Sequence, residues 1–265
     1  MSSPNPVRMT RGINLAEFAH IAAVEQSFWW FRGMDRMLWQ FLDDCKPAFI
    51  GRTACEVGCG TGWISEGFTQ RYPNTPLLST DLELEGLSYA RARGLQRLAL
   101  ADIRELPLPA SSFGLVLALD VIAHLEAGEE RRAFAEFGRV LEPGGILLLR
   151  ASAFRWLRSR HSEFVCERQR YTLSQLKPLL RDNGLELVRS TYANTLLLPV
   201  AAAKFRIWEP LVRARPQSGL QSVNPLANTV LEQFLRLEAA WLRLGGHLPV
   251  GQSLWVIARK RRHSS

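Results

Sequence analysis

The residues that point most directly to chemistry form the glycine-rich run at residues 56–62, Glu-Val-Gly-Cys-Gly-Thr-Gly. Glycine has no Cβ, so its backbone adopts positive φ readily and can approach a ligand closely. The run lies between a strand-like and a helix-like segment, where open α/β sheets bind their ligands. Its G-x-G-x-G spacing differs from the G-x-G-x-x-G pattern of dinucleotide sites. Alone, the run is also compatible with a purely structural turn.

Two acidic residues follow later strand-like segments. Asp81 stands 19 residues after Gly62, where a carboxylate can accept both hydrogen bonds of a ribose diol. The same residue could instead, or in addition, cap the helix that follows. Asp102 could accept a hydrogen bond from an adenine amino group while Ile103 packs on the ring. A single acid in a loop is more often merely solvated, but a series of them at consecutive strand ends predicts a binding site.

To lie close together, these residues need parallel strands whose carboxyl ends meet at one edge of a sheet. From residue 53 onward, strand-like and helix-like segments alternate, which predicts right-handed βαβ units and a parallel sheet covered on both faces. The predicted strands are residues 53–57, 77–80, 97–100, 113–119, 145–150, 185–192 and 253–259. The predicted helices between them are residues 62–71, 83–93, 129–141 and 173–183.

The segments around this core divide the chain further. Residues 1–12 are expected to be a disordered tail, and residues 13–50 a helical segment in which the aromatic cluster 28–31 joins helices 15–26 and 34–44. Residues 51–195 form the predicted core. Residues 196–246 form a helical cap with an amphipathic helix at 225–244, and residues 247–265 hold the last strand and a basic tail.

Length, hydropathy and cysteine content indicate the size of the domain and its cellular compartment. The chain of 265 residues suits one sizeable α/β domain. It has no apolar run long enough to span a bilayer, and its start lacks the apolar core of a signal peptide. Its four cysteines form no C-x-x-C pair, which favours a reduced, cytoplasmic setting.

Basic charge is concentrated in one part of the chain. The net charge is +8, and residues 150–215 alone hold 13 Lys or Arg against 5 Asp or Glu. One interpretation is a biased codon usage that favours arginine. The other is a surface for an anionic acceptor, a carrier or membrane headgroups.

The pattern as a whole resembles the class I S-adenosylmethionine (SAM)-dependent methyltransferases. The resemblance rests on residues 56–62, Asp81, Asp102, residues 113–125 and residues 139–145, in the family's order over about residues 50–190. It implies a Rossmann-like doubly wound sheet of about seven strands, mostly parallel with an antiparallel C-terminal strand, plus N-terminal helices and a helical C-terminal cap. The chain departs from many relatives at Glu83, where a small or polar residue is common. It departs again at Ala123, where Glu is common.

The resemblance also implies roles for individual residues. Glu56, Gly58, Cys59 and Gly60 would line the methionine end of SAM. Asp81 and Leu82 would hold the ribose, and Asp102 and Ile103 the adenine. Leu119 and Asp120 would lie near the sulfonium, and His124 would border the acceptor. From the N-terminal segment, Trp30 would contact SAM, and Arg32 or Arg36 would reach its carboxylate.

The implied reaction is an in-line SN2 transfer. The methyl group on a sulfonium is already activated, so positioning supplies most of the catalysis. A general base is needed only for an acceptor such as a hydroxyl, and the candidates are His124, His161, Tyr171 and Tyr192. Each of these could instead be a packing residue. No metal-binding cluster is visible.

We therefore expect a SAM-dependent methyltransferase with a small-molecule or lipid- or glycan-type acceptor. The alternatives are a SAM-binding regulatory protein without transfer activity, an RNA or protein methyltransferase, and a nicotinamide-dependent oxidoreductase. The sequence carries no strong nucleic-acid signal. An anionic or lipid-linked substrate and peripheral membrane contact through residues 196–215 remain open. The acceptor, the attacked atom and the oligomeric state are not determined by the sequence.

Overall fold

A computed structural model describes residues 12–220 and 224–262, and its centre is one seven-stranded sheet. The strand order is β3-β2-β1-β4-β5-β7-β6, and only β7 runs antiparallel to its neighbours. This confirms the fold class predicted from the sequence. The strands are β1 (Ala54–Val57), β2 (Leu77–Asp81), β3 (Leu98–Leu100), β4 (Phe113–Leu119), β5 (Leu141–Ser152), β6 (Leu185–Ala193) and β7 (Ser253–Lys260).

Helices cover both faces of the sheet. They are α1 (Ala16–Val24), α2 (Trp29–Phe49), α3 (Trp63–Arg71), α4 (Leu84–Ala92), α5 (Glu130–Val140), α6 (Arg160–Phe164), α7 (Leu173–Asp182), α8 (Leu198–Ala203), α9 (Glu209–Leu211) and α10 (Pro225–Arg243). A π-helical stretch, Lys204–Trp208, joins α8 and α9 into one continuous helical segment. Short 3₁₀ turns lie at Val121–His124 and Arg155–Leu157.

The core explains why the middle of β5, residues 146–149, is apolar on both faces. Side chains alternate between the two faces of a strand, so Leu147 and Leu149 of β5 pack on the α5 and α7 side. Ile146 and Leu148 pack on the opposite side with α2 and α10. Because both faces are covered, neither set can be polar.

The start of α2 differs from the sequence prediction. Trp29 and the two residues after it form the first turn of α2, not a connection between two helices. The backbone N–H of Trp29 donates to Oδ1 of Asn228 on α10, at 2.9 Å. This contact satisfies a helix-terminal N–H group, and its partner is 199 residues away in sequence. Buried residues at helical spacing, Met34, Met37, Leu38 and Phe41, then hold α2 on the sheet.

The predicted cap consists of two parts. The α8–α9 segment lies at one end of the sheet, and α10 packs beside α2. The domain boundaries drawn from the sequence stay predictions, and the expected tail at residues 1–12 lies outside the described residues except for Gly12. Over the stretches that the structure describes, none of the helices combines the length and the apolar character needed to cross a membrane.

Candidate functional site

The glycine-rich loop connects β1 to α3 and needs glycine for two different reasons. Gly58, Gly60 and Gly62 all have positive φ, at 75°, 54° and 77°. A Cβ on Gly58 would lie 2.5 Å from a methyl group of Val121, and one on Gly62 would lie 2.7 Å from Cβ of Ala90. Gly60 is different, because the nearest atom to its Cβ position is 3.9 Å away. Gly60 therefore presents open space to a ligand.

This loop borders a cavity of about 960 Å³ at the carboxyl ends of the parallel strands. The volume lies at the upper end of the range for small-molecule sites. The cavity is lined by most of the residues that the sequence predicted for the cofactor: Trp30, Glu56, Gly58, Cys59, Gly60, Asp81, Leu82, Asp102, Ile103, Leu119 and Asp120. The structure thus brings these residues together, and their individual contacts with SAM stay proposals.

Asp81 at the end of β2 is oriented by backbone N–H groups. Its Oδ2 accepts from the N–H of Gly60 at 2.8 Å, and its Oδ1 accepts from the N–H of Glu83 at 2.9 Å. The N–H of Leu82 contributes a further backbone hydrogen bond. A carboxylate has about four acceptor positions, so it retains capacity for a hydroxyl donor of a ligand. Burial raises the pKa of Asp81, and the backbone hydrogen bonds oppose the rise.

Asp102 lines the cavity but is already engaged. Nε of Arg104 lies 2.8 Å from its Oδ1 and 3.0 Å from its Oδ2, and the backbone N–H of Arg104 also donates to Oδ1. These bonds lower the pKa of Asp102. Arg104 also pairs with Glu129. A contact between Asp102 and an adenine amino group therefore requires it to share or displace a bond to Arg104, which the sequence reasoning did not foresee.

Glu56 at the end of β1 is fully buried and hydrogen-bonded. It accepts from the hydroxyl group of Ser65, which lies 2.7 Å from the hydroxyl group of Ser79. Burial raises the pKa of Glu56 to about 8. In the free protein this side chain is therefore mostly protonated at neutral pH. A cationic ligand group nearby would favour its ionised form.

A second carboxyl group faces the cavity from α2. Oδ2 of Asp35 accepts from Nε1 of Trp63 at 2.7 Å, and burial raises the pKa of Asp35 to about 6. Both residues line the cavity, and neither was predicted from the sequence. Trp63 directly follows the glycine loop, and that position could have indicated a residue of the site. Asp35 carried no signal beyond its helical spacing.

A partly buried ion pair forms part of the cavity wall between β4 and β5. Asp120, directly after β4, has φ of 59°, and its Oδ2 accepts from Nη2 of Arg150 at 2.7 Å. The guanidinium carbon of Arg150 lies 4.9 Å from the ring centre of Trp30 and 5.2 Å from that of Trp255. Arg150 was not predicted from the sequence. The feature that could have indicated it is a charged residue near the end of a mostly apolar strand.

Arg32 was predicted to reach the cofactor, and the structure places it elsewhere. Its Nη1 lies 3.2 Å from Oε2 of Glu232 on α10, and it does not line the cavity. The alternative, Arg36, lies 4.0 Å from the same carboxylate. The buried Glu232 attracts both arginines to the outside of α2. Within the described residues, Arg150 is the arginine that lies beside Trp30.

His124 and His161 both line the cavity, but the Nδ1 atom of His124 donates a hydrogen bond whereas that of His161 accepts one. Nδ1 of His124 lies 3.3 Å from the carbonyl oxygen of Cys166, which can only accept, so Nδ1 carries the proton. The neutral ring then keeps a lone pair on Nε2 and can act as a base. Nδ1 of His161 instead accepts from the N–H of Gly219 at 2.8 Å, so its lone pair is occupied. Burial lowers the pKa of both rings.

The two tyrosines predicted as candidate bases do not line the cavity. The hydroxyl group of Tyr171 is buried and donates to the carbonyl oxygen of Ile122 at 3.1 Å. Burial also raises its pKa. Tyr192 stacks on Phe154, with ring centres 5.0 Å apart, and accepts from the N–H of Leu173. Both tyrosines hold core elements together, and we do not retain them as candidate bases.

A buried acid of α1 connects the segments that cover the cavity. Glu17 is only 1% exposed and accepts from the hydroxyl group of Ser218 at 3.0 Å. Its second oxygen lies 3.0 Å from Nδ1 of His20. Its first oxygen also lies 3.9 Å from Nδ1 of His161. The N-terminal helix therefore links the segment around α6 to the loop that follows α9.

Comparisons with known proteins find relatives for one part of the chain. Residues 55–149, less than half of the chain, match the family model described as a methyltransferase domain. A malonyl-[acyl-carrier protein] O-methyltransferase of Hahella chejuensis is 35% identical over 119 residues, which is 44% of this chain and 42% of that relative. The chain thus spans less than half the length of this curated relative.

Solved structures share the fold of the methyltransferase domain and its surroundings. The methyltransferase of Haloferax volcanii in complex with the Trm112 activator has a TM-score of 0.60 at 16% identity, over 94% of this chain and 96% of that one. The [4+2]-cyclase SpnF has a TM-score of 0.53 at 19% identity, over 84% and 80%. Because these two neighbours carry different descriptions, the fold alone does not determine the reaction.

The methyltransferase domain match stops at the edge of the predicted acceptor region. It contains the glycine loop, Asp81, Asp102 and His124, but Arg150, His161 and the whole cap lie beyond residue 149.

Among the described residues, no group of three or more His, Cys, Asp or Glu side chains could hold a metal ion.

Proposed function

We propose that this chain binds SAM in the cavity and transfers its methyl group to a small-molecule or lipid- or glycan-type acceptor. The single observation that carries the proposal is the geometry of Asp81. Backbone N–H groups of Gly60, Leu82 and Glu83 hold its carboxylate at the cavity wall, and acceptor capacity remains for a further donor. A ribose hydroxyl group would use that capacity.

The remaining walls suit the rest of the cofactor. Gly60 leaves open space next to Asp81, where any side chain would intrude. Ile103 and Leu82 supply apolar surface for an aromatic base, and Glu56 supplies a carboxyl group for the methionine ammonium. SAM, when bound, supplies a methyl group already activated by its sulfonium sulfur. The chain's own contribution is to bind, orient and exclude water.

Orientation and exclusion of water would come from the wall beyond the sulfonium position. The Asp120–Arg150 pair fixes one side of it, and the Trp30 ring covers the guanidinium group. A fixed wall holds an acceptor in line with the methyl carbon, which is the largest effect available to this reaction. A cavity closed to bulk water also favours a reaction that disperses charge.

His124 is the candidate base for an acceptor with a hydroxyl group. Its proton resides on Nδ1, and its lowered pKa leaves the ring neutral near pH 7. Nε2 can then take a hydroxyl proton as the oxygen attacks. An acceptor that is already anionic, such as a carboxylate, needs no base. The relative from Hahella chejuensis is named for the O-methylation of a malonyl group on a carrier protein.

The experiment is a transfer assay with SAM that carries a tritiated methyl group. The protein is incubated with cell extract divided into water-soluble and chloroform-soluble fractions, and label transfer and S-adenosylhomocysteine formation are measured. We expect label in one fraction, with a matching amount of S-adenosylhomocysteine. The Asp81→Asn variant should lose this activity, and Asp182→Asn, an exposed position at the end of α7, should keep it. SAM binding without product in either fraction would instead support the regulatory alternative.

A further inference from the structure

The outer surface of the cap, residues 196–246, is unusually apolar. In the described part of the chain, seventeen large apolar side chains are exposed, and twelve of them belong to this cap. Val200, Ile207 and Leu211 follow one another at helical spacing on the α8–α9 segment and are 65%, 66% and 74% exposed. Trp208, beside them, is 60% exposed. Exposed apolar patches of this kind mark a surface for interaction.

The charges on this surface have one sign. The cap has three acidic residues, Glu209, Glu232 and Glu238, and all are buried, with 8% exposure or less. Glu209 and Glu238 accept from backbone N–H groups, and Glu232 pairs with arginines. The exposed charges are all basic: Lys204, Arg206, Arg213, Arg215 and Arg243. We call the exposed apolar and basic residues of 198–215, on the α8–α9 segment and just after it, the cap face.

We propose that the cap face binds the surface of an anionic lipid bilayer. Anionic headgroups attract the basic side chains, and the acyl region accepts the apolar ones. Trp208 is of the residue type that favours the boundary between the two. A bilayer therefore satisfies both properties of the cap face at once.

Two other kinds of partner would match either the basic charge or the apolar side chains of the cap face, but not both. An acidic protein would pair with the basic residues, but its acidic surface would not cover the five large apolar side chains of the cap face. A second copy of the chain could cover the apolar side chains. In a two-fold symmetric contact, however, the basic patch of one copy would face the basic patch of the other. With no exposed acid on the cap face, that repulsion would be uncompensated.

The cap face is continuous with the cavity. Lys204, Phe205, Trp208 and Val212 line the cavity, while Ile207 and Leu211 on the same segment are exposed outside it. Docking would therefore place the rim of the cavity against the lipid. It follows that the acceptor is an amphiphile that enters from the bilayer with its polar end first. This last step rests on the proposed function, whereas membrane binding does not.

Vesicle co-sedimentation of the whole protein tests the proposal. Vesicles of phosphatidylcholine alone are compared with vesicles that also contain phosphatidylglycerol, at low and high salt and without SAM. We expect binding to the anionic vesicles that weakens at high salt, because exposed charges are screened. Binding needs no methyl transfer, so this result and the transfer assay can fail independently.

Two variants separate the electrostatic and apolar contributions. Arg206→Glu/Arg213→Glu should weaken partitioning by at least about 25-fold, since each basic residue near an anionic surface contributes about fivefold. Ile207→Asp/Leu211→Asp should abolish binding at high salt. None of these four residues lines the cavity. Matched controls away from the cap, Arg91→Glu/Arg97→Glu and the exposed Leu100→Asp, should bind as the wild type does.

Three results would overturn the proposal. The first is no binding to anionic vesicles at low salt, and the second is equal binding by the cap variants and their controls. The third is a concentration-dependent dimer in light scattering that Ile207→Asp/Leu211→Asp dissolves while vesicle binding persists. That result would assign the cap face to a second copy of the chain.

Discussion

Nη2 and Nε of Arg150 lie 2.7 Å and 2.9 Å from the same oxygen, Oδ2, of Asp120. Asp120 directly follows β4, and Arg150 lies opposite the last residue of β4 on the neighbouring β5. Arg150 is 7% exposed and lies between the rings of Trp30 and Trp255, so it is held on three sides. A fixed positive charge is thus part of the wall beside the proposed methyl-transfer position.

Breaking this pair is expected to destabilise the protein. Arg150→Met leaves Asp120 without its partner, and fully buried pairs lose about 3–5 kcal/mol when one member is removed. Because the side chain of Asp120 keeps 31% exposure, we expect a smaller loss, about 2 kcal/mol in the free energy of unfolding. Urea denaturation followed by circular dichroism measures it.

The double variant identifies the cause of that loss. Asp120→Asn/Arg150→Met should lose less than the sum of the two single variants, because contacting residues are coupled by about 0.5–3 kcal/mol. Strictly additive losses would show that Asp120 and Arg150 do not stabilise each other.

SAM binding at pH 7 is expected to release a proton from Glu56. Burial raises the pKa of this residue to about 8, so most of the free protein carries it protonated. The positive charges of SAM favour the ionised form, lower the pKa and expel the proton. Asp35, whose pKa is about 6, is already mostly ionised at pH 7 and contributes less. Calorimetry in buffers of different ionisation enthalpy counts the protons.

The Glu56→Gln variant is the control for proton release. It keeps the shape of the side chain but has no proton to lose at this pH, so the heat of SAM binding should no longer depend on the buffer. Undiminished release in this variant would assign the proton to another group.

With a hydroxyl acceptor, the rate should follow the ionisation of His124. The rate is expected to rise with pH through a pKa below 6.5 and to level off above it, because burial lowers the pKa of His124 and only the neutral ring is a base. His124→Asn should lower kcat by about 10²- to 10⁴-fold and remove the rising limb. His161→Asn should keep that limb, since Nδ1 of His161 already accepts a hydrogen bond. An unchanged profile in His124→Asn would exclude this residue as the base.

Gly60 and Gly94 permit a matched test of the space beside Asp81. Both have positive φ, at 54° and 88°, so an alanine at either position costs roughly 1–2 kcal/mol of backbone strain. Nothing lies within 4 Å of a Cβ at Gly94, whereas a Cβ at Gly60 would enter the proposed cofactor space. Gly60→Ala should therefore weaken SAM binding by a further amount on the order of 1–3 kcal/mol. Equal SAM affinity in the two variants would place the cofactor elsewhere.

Local patterns in the sequence were sufficient to predict the sheet and the residues on one side of the cavity. Asp81 could be predicted because an acid at the end of a parallel strand faces the ligand edge whatever the rest of the fold does. The continuous apolar run of β4 likewise predicts a central strand, since both of its faces are covered.

Contacts between distant segments were not predictable in the same way. Arg32 lies on the correct helix, but Glu232, 200 residues further along the chain, pairs with it on the outside. Tyr171 was a plausible base until the fold placed its hydroxyl group against the carbonyl group of Ile122. Arg150 was one of many arginines in a basic stretch. Only the pairing of β4 with β5 places it beside Asp120.

Isothermal titration of SAM into the wild type, Asp81→Asn and Asp182→Asn tests the central claim most directly. We expect the wild type and Asp182→Asn to bind SAM equally and NAD not at all. Asp81→Asn should bind SAM about 10- to 150-fold more weakly, because hydrogen bonds to a charged carboxylate contribute about 1.5–3 kcal/mol. NAD binding without SAM binding, or full SAM affinity in Asp81→Asn, would contradict the account.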